Sequence, residues 1–242
     1  MKNIHYSSLK KQKPLTGLYC KEANGNKMYF REGTMDEAIF NCVPFEYPIE
    51  HLNPENIIVD IGAHVGCFVN YAVTRGGKNI YAFEPNSDNF SLLKKNTCHL
   101  SNTNINIFHM AVYDTNLSEQ LKEPKILTFN TGGANVLQPE NDIPVKAICL
   151  DNIIKNIVGG KNIDVLKIDC EGSEYPILYS CTMLRKVDYI VMEHHVCIHP
   201  KETVEKYKYD FTKEGMQDFL QHNGFTIGED SPEYMIQAYK IS

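Results

Sequence analysis

The pattern of apolar and polar positions changes character at Ile57. Before it, "GLYCKEANGNKMYF" alternates around Asn24-Gly25, a two-residue turn signal that predicts a hairpin. In "GTMDEAIF", Thr34 and Glu37 have the spacing of a capping box and predict a short helix. From Ile57 strand and helix patterns alternate. "IIVDI" reads as a buried strand, and "CFVNYAVTR" as an amphipathic helix stopped by Gly76-Gly77. "NIYAFEP" is a second strand, "SDNFSLLKKN" a helix and "INIFHMAV" a third strand. This order predicts a parallel sheet with helices on both faces.

The rhythm breaks between Tyr113 and Asp142, where turn-rich sequence around "KILTFNTGGANV" predicts a hairpin-like insertion. "PVKAI" then predicts a strand and "LDNIIKNIV" a short helix. The sheet resumes with the strand "DVLKID", the helix "SEYPILYSCTML" and the strand "VDYIVMEHH". After the helix "EGMQDFLQHNG", no helix separates "FTIG" from "YMIQAYKI", so these two should pair antiparallel. The expected fold is α/β: a doubly wound, mostly parallel sheet ending in an antiparallel hairpin. Residues 1–54 read as a preface packed on one main domain, residues 55–242.

Composition narrows the function. With 43% hydrophobic and 22% charged residues, the 242-residue chain is an ordinary globular sequence. A net charge of −6 argues against nucleic acid held by phosphate attraction. No apolar stretch approaches a membrane span, and the basic start "MKNIHYSSLKKQKP" lacks the apolar run of a secretory signal, so a cytoplasmic location is expected. The eight cysteines have no CxxC spacing and read as reduced thiols rather than disulfides or a structural zinc site.

The chemistry starts at "DIGAHVG". In open α/β sheets ligands sit at the carboxyl ends of the strands, and Gly62 to Gly66 form the turn there. Glu84-Pro85 follows the second strand, where a carboxylate can accept bonds from both hydroxyls of an adenosine ribose. A dinucleotide turn, G-x-G-x-x-G, presses backbone amides onto a pyrophosphate. Counted from Gly62, this chain has His64 and Cys67 where the later glycines belong. S-adenosylmethionine has no phosphate, so it tolerates His64, and its ammonium suits Asp60. It is the expected cofactor.

"VDIGAHVG", "YAFEPN", "LDNII", "LKIDCEGSE" and "VMEHH" resemble, in order, the landmarks of the FkbM family of class I methyltransferases. "REGTMDEAIF" resembles the segment before that family's first strand, so the likeness runs from about Arg31 to His195. It implies a seven-stranded sheet and methyl transfer from S-adenosylmethionine, typically to a hydroxyl oxygen. By motif position, Asp60, Gly62, Ala63, Gly66 and Glu84 would hold the cofactor, with Ala111 beside the adenine. His64 stands where asparagine is commoner in the family, leaving open whether this side chain touches the methionine carboxylate.

Asp169 ends "DVLKID", and Glu193, His194 and His195 end "VDYIVMEHH". These strands are neighbours in this fold, about 4.8 Å apart, so the two sets should converge near the transferable methyl group. Period-two alternation puts Glu193 and His195 on one side and His194 on the other. Either His195 or Asp169 is the expected base, with Glu193 orienting the base or the acceptor. A divalent metal on Asp169, Glu193 and a histidine is a further reading, with His199 a candidate ligand. Glu174 reads as a helix-dipole partner, Glu171 is undecided, and Lys167 suits pairing with a carboxylate. An Asn/Asp-Pro-Pro-Tyr-like amine motif is absent after "DVLKID", which favours oxygen as acceptor.

The leading expectation is an O-methyltransferase for a sugar or other small polyhydroxylated metabolite. Two alternatives are an NAD(P)-dependent oxidoreductase, disfavoured by the missing middle glycine, and a catalytically silent methyltransferase-like partner subunit.

Overall fold

The computed structural model describes residues 17–23, 25–101, 103–114, 121–124, 129–133, 144–196, 199, 201–228 and 232–241. The chain opens with the antiparallel pair β1 (Leu18–Ala23) and β2 (Asn26–Arg31), then α1 (Asp36–Glu46). Ala23 pairs with Asn26, which leaves a two-residue loop, and Gly25 takes the positive φ of 79° that such a turn requires; Asn24 lies outside the described residues.

The main body alternates as expected: β3 (Ile57–Ile61), α2 (Cys67–Thr74), β4 (Asn79–Phe83), α3 (Ser87–Thr97) and β5 (Asn104–Phe108). Then come β6 (Ala111–Val112), β7 (Ala147–Ile148), α4 (Leu150–Asn152), β8 (Val165–Ile168), α5 (Glu174–Tyr179) and β9 (Tyr189–Glu193). The chain continues through α6 (Lys201–Glu205), α7 (Lys213–His222), β10 (Phe225–Ile227) and β11 (Met235–Lys240). Seven strands form one sheet in the order β10-β11-β9-β8-β3-β4-β5. From β9 to β5 every pairing is parallel, whereas β11 runs antiparallel to both β9 and β10.

Alternate residues of the central strands enter different layers, as the period of a strand requires. Ile58, Ile80 and Ala82 pack with Phe68, Val69 and Leu93. Val59, Ile61 and Phe83 pack with Leu166, Ile168, Tyr175 and Ile177. Met28 and Phe30 of the preface are fully buried in the first layer, alongside Val43 of α1 and Tyr47 at its C-cap. Burying each such side chain stabilises the fold by about 1.5–3 kcal/mol.

Two expectations are corrected, and two elements form with a difference. The capping box does not form: Met35 is the N-cap, Thr34 Oγ1 receives the Asp36 N–H, and Glu37 turns out to Tyr19 and Lys21. "INIFHMAV" is not one strand, because the Met110 N–H returns to the Phe108 carbonyl and bends the chain out of the sheet. "PVKAI" therefore supplies β7 to a separate two-stranded sheet with β6 rather than to the main one. "LDNIIKNIV" starts as α4 but widens to a π-helical turn over Ile153–Ile157.

Most of the predicted insertion (115–120, 125–128 and 134–143) lies outside the described residues, as do the first sixteen residues. The seven described cysteines are all free; Cys197 lies outside them. No described helix is long and apolar enough to cross a membrane.

Candidate active site

The sheet order reverses between β3 and β8, and a cavity of about 260 Å³ opens at the carboxyl ends of these strands under α1. Gly62, Ala63, His64, Glu84, Pro85 and Ala111 line one end. Glu46, Tyr47, Asp169, Glu171 and Glu193 line the other.

The glycine turn is dictated by close approach. Gly62 has φ of 76°, and a Cβ there would lie 1.7 Å from the Asp169 carbonyl oxygen. Gly66, at φ of 91°, starts α2 against Leu93 and does not line the cavity. Its role in the turn is backbone geometry and packing. His64 also has positive φ, 52°, a region that Asn and His enter more readily than most residues.

That backbone aims the His64 N–H at Glu84 Oε2, 2.8 Å away. Glu84 Oε1 accepts from the Asn86 N–H at 2.9 Å and the Asn89 amide at 3.4 Å. Burial raises the Glu84 carboxyl to about 7, against the pull of these donors. The His64 ring sits in a buried network. Thr131 Oγ1 donates to Asp36 Oδ1 at 2.6 Å, and His64 Nε2 lies 2.9 Å from Thr131 Oγ1. Both Nη2 hydrogens of Arg31 are committed, to Asp36 Oδ1 and Asn89 Oδ1 at 2.8 Å each. Hence Nε2 carries the proton and donates to Thr131, leaving Nδ1 a buried acceptor with no hydrogen-bond partner among the described residues. Burial lowers this imidazole to about 4, so it is neutral at pH 7.

Asp60 is the residue expected to meet the ammonium of a ligand. It is fully buried and absent from the lining, and its Oδ1 lies 3.2 Å from Lys167 Nζ on the paired strand. Lys167 also donates to the Gly62 carbonyl at 2.7 Å. This pair braces the turn from below.

At the other end, Tyr47 OH donates to Asp169 Oδ2 at 2.9 Å and lies 3.4 Å from Glu193 Oε2. Burial works to raise Asp169, but Lys167, His195 and Tyr47 together hold it below the usual range. His195 Nδ1 bonds to Glu174 Oε1 at 2.7 Å, and its Nε2 lies 3.4 Å from Glu193 Oε1 and 3.6 Å from Glu171 Oε2. Burial opposes the charge on this ring, but Glu174 and Glu193 outweigh it and raise His195 to about 12. The surrounding carboxylates thus favour the charged form of this ring. Burial likewise raises Glu171 to about 7, with His195 opposing.

His194 faces away, with Nδ1 3.5 Å from Tyr175 OH. His199 packs on the rings of Tyr175 and Phe211 and belongs to no candidate metal group among the described residues. Tyr47, Glu174 and the Arg31–Asp36–Thr131 network had no role, or only a generic one, in the sequence reading. Tyr47 comes from a helix 122 residues before Asp169, and no local pattern marks it. Asp36 left a faint signal, as an acid at the start of a helix that turns inward to Arg31.

The sheet order, the antiparallel β11 and the switch-point cavity define a class I, Rossmann-like methyltransferase fold. The chain belongs to the FkbM methyltransferase family: the methyltransferase FkbM domain matches residues 60–227. A curated relative, the hexuronic acid methyltransferase AglP of Haloferax volcanii, is 26% identical over 159 residues. The match takes in 65% of this chain and 63% of the relative, so it spans less than two thirds of that protein. Among solved structures, methyltransferase FkbM from Methylobacillus flagellatus KT aligns with a TM-score of 0.51 at 16% identity, over 83% of this chain and 48% of that one. A SAM-dependent methyltransferase from Agrobacterium tumefaciens also aligns at 0.51, with 10% identity over 95% and 72%. At these identities the structures speak for the fold.

Proposed function

We propose that this chain is an S-adenosylmethionine-dependent O-methyltransferase acting on a hydroxyl of a sugar or other small polyhydroxylated metabolite. The observation that carries the reading is one cavity with Glu84 at one end and Asp169, Tyr47 and Glu193 at the other. Glu84 would accept the ribose hydroxyls, and the backbone of Gly62 and Ala63 would flank the methionine moiety. The adenine would lie against Pro85, Ala111 and the stacked rings of Phe83 and Phe108. His64 Nδ1, an acceptor, suits the donor's ammonium rather than its carboxylate.

In the transfer, the acceptor oxygen forms a bond to the methyl carbon while the carbon–sulfur bond breaks, its electron pair staying on sulfur. The hydroxyl proton passes to Asp169. That oxygen becomes strongly acidic as the new bond forms, so a carboxylate of low basicity suffices. Tyr47 fixes the orientation of this carboxylate, and alignment of donor and acceptor supplies much of the rate. His195 Nε2 stands 3.4 Å from Glu193 and 3.6 Å from Glu171 and would help to position both carboxylates.

Incubating the protein with S-adenosylmethionine and a panel of sugars and sugar acids, hexuronic acids first, tests the reading. A methylated oxygen product, lost in Asp169→Asn, is expected. Cofactor turnover with no acceptor among hydroxylated compounds, but with amines, would sink the oxygen assignment.

A further inference from the structure

The acceptor end of the cavity holds more negative charge than a neutral hydroxyl compound requires. Glu46, Asp169, Glu171 and Glu193 all line it. The nearby cation on β8, Lys167, is shared between Asp60, the Gly62 carbonyl and Asp169, whose Oδ2 is 3.7 Å away, so one cation faces several carboxylates. We propose that Asp169, Glu171 and His195, completed by Glu193, form a divalent-cation site that holds the oxygens of the acceptor. The proposal concerns the acceptor half of the site described above, but the cation site itself does not depend on methyl transfer.

The geometry supports this in three ways. One donor atom each from Asp169, Glu171 and His195 lies within 4.8 Å of the others. His195 Nε2 is 3.4 Å from Glu193 and 3.6 Å from Glu171. Neighbouring ligands on an octahedral ion with bonds of about 2.1 Å stand about 3.0 Å apart, so small side-chain rotations close the set. Second, the imidazole is held as metal-binding histidines are held. Its Nδ1 is anchored on the buried Glu174 Oε1 at 2.7 Å, which turns Nε2 toward the carboxylates. A divalent ion would take the position of the Nε2 proton, which leaves to solvent.

Third, and independently of these bonds, the cavity wall contains a polar atom that no group among the described residues satisfies. Ser173 lines the cavity and is 1% exposed, yet its Oγ has no hydrogen-bond partner. Buried hydroxyls in a polar wall almost always have a partner. A water or acceptor oxygen carried by the ion would satisfy this one.

The donor set fixes the class of ion. It offers carboxylates and a single imidazole, with no thiolate among the ligands, which suits Mn²⁺ or Mg²⁺. Such an ion binds two adjacent oxygens of a diol or hydroxy acid at once. It lowers the pKa of the coordinated hydroxyl and cancels the repulsion that the acidic wall exerts on an acceptor carrying its own carboxylate.

The test is a titration of Mn²⁺ into the full chain, read by its electron paramagnetic resonance signal. One site per chain with micromolar affinity is expected, weakened about tenfold or more in both Glu171→Gln and Glu193→Gln and unchanged in the surface control Glu205→Gln. Glu171→Gln should still bind S-adenosylhomocysteine, which shows that the variant folds. Binding no tighter than millimolar, or a tight site indifferent to both cavity substitutions, overturns the proposal. A tight Mn²⁺ site in a protein that ignores S-adenosylhomocysteine would leave the cation site standing and sink the methyl-donor reading instead.

Discussion

Glu84 ties the binding chemistry to pH. Its folded-state carboxyl is raised from 4.5 to about 7, chiefly by burial. Its contribution to stability is therefore complete below pH 4.5 and is lost as pH rises through about 7. Donor binding as proposed would have the opposite dependence, because ribose hydroxyls would donate to the ionised form. Affinity for S-adenosylhomocysteine should strengthen from pH 5.5 to pH 8 and release protons below pH 7. Calorimetry in buffers of different ionisation enthalpy measures this; a flat profile would show that Glu84 does not titrate with the ligand. Gly62→Ala tests the turn. The added methyl group would meet the Asp169 carbonyl at 1.7 Å in a backbone region unfavourable to alanine. A loss of about 3 kcal/mol or more in urea unfolding is expected; a near-neutral result would mean that the two strand ends are not in close contact. At this scale the sequence was informative where chemistry and backbone coincide, as at Gly62 and Glu84. It did not show the pairing of Asp60 with Lys167, which lies 107 residues away on the neighbouring strand.

At the scale of elements, the preface contributes to the site. Arg31 of β2 and Asp36 of α1 form a buried ion pair at 2.8 Å, joined to Asn89 of α3, to Thr131 and to His64 in the cofactor turn. Removing one partner leaves the other charge buried, so Arg31→Ala should cost about 3–5 kcal/mol, read as a lower urea midpoint with unchanged slope. A loss under 1 kcal/mol would show that the network is solvated. Tyr47, near the end of α1, reaches Asp169 and Glu193 across the cavity. Tyr47→Phe should lower kcat by about tenfold, the worth of one hydrogen bond to a charged group, while leaving S-adenosylhomocysteine affinity unchanged. Equal losses in both would make Tyr47 a packing residue only. The strands and helices of the main sheet were legible because periodicity is local. The bend at His109-Met110, the failed cap at Thr34 and the reach of Tyr47 were not: beside the bend the Ala111 N–H bonds Lys146, beside the cap the Met35 N–H bonds Phe129, and Tyr47 meets Asp169 across 122 residues.

For the whole molecule, the order of the seven strands places two different chemistries in one crevice. β3 and β4 deliver the turn and Glu84, while β8 and β9 deliver Asp169 and Glu193. The terminal pairing of β10 and β11 could be read from the absence of a helix between them. The role of the cavity's acidic wall could not, because Glu46 and Glu193 join Asp169 and Glu171 only when the sheet closes. The central claim is that this crevice holds S-adenosylmethionine through Glu84, and isothermal titration with S-adenosylhomocysteine tests it most directly. The account predicts one micromolar site per chain, weakened about tenfold or more in Glu84→Ala. Absence of binding in folded protein, or equal binding by the variant, would contradict it.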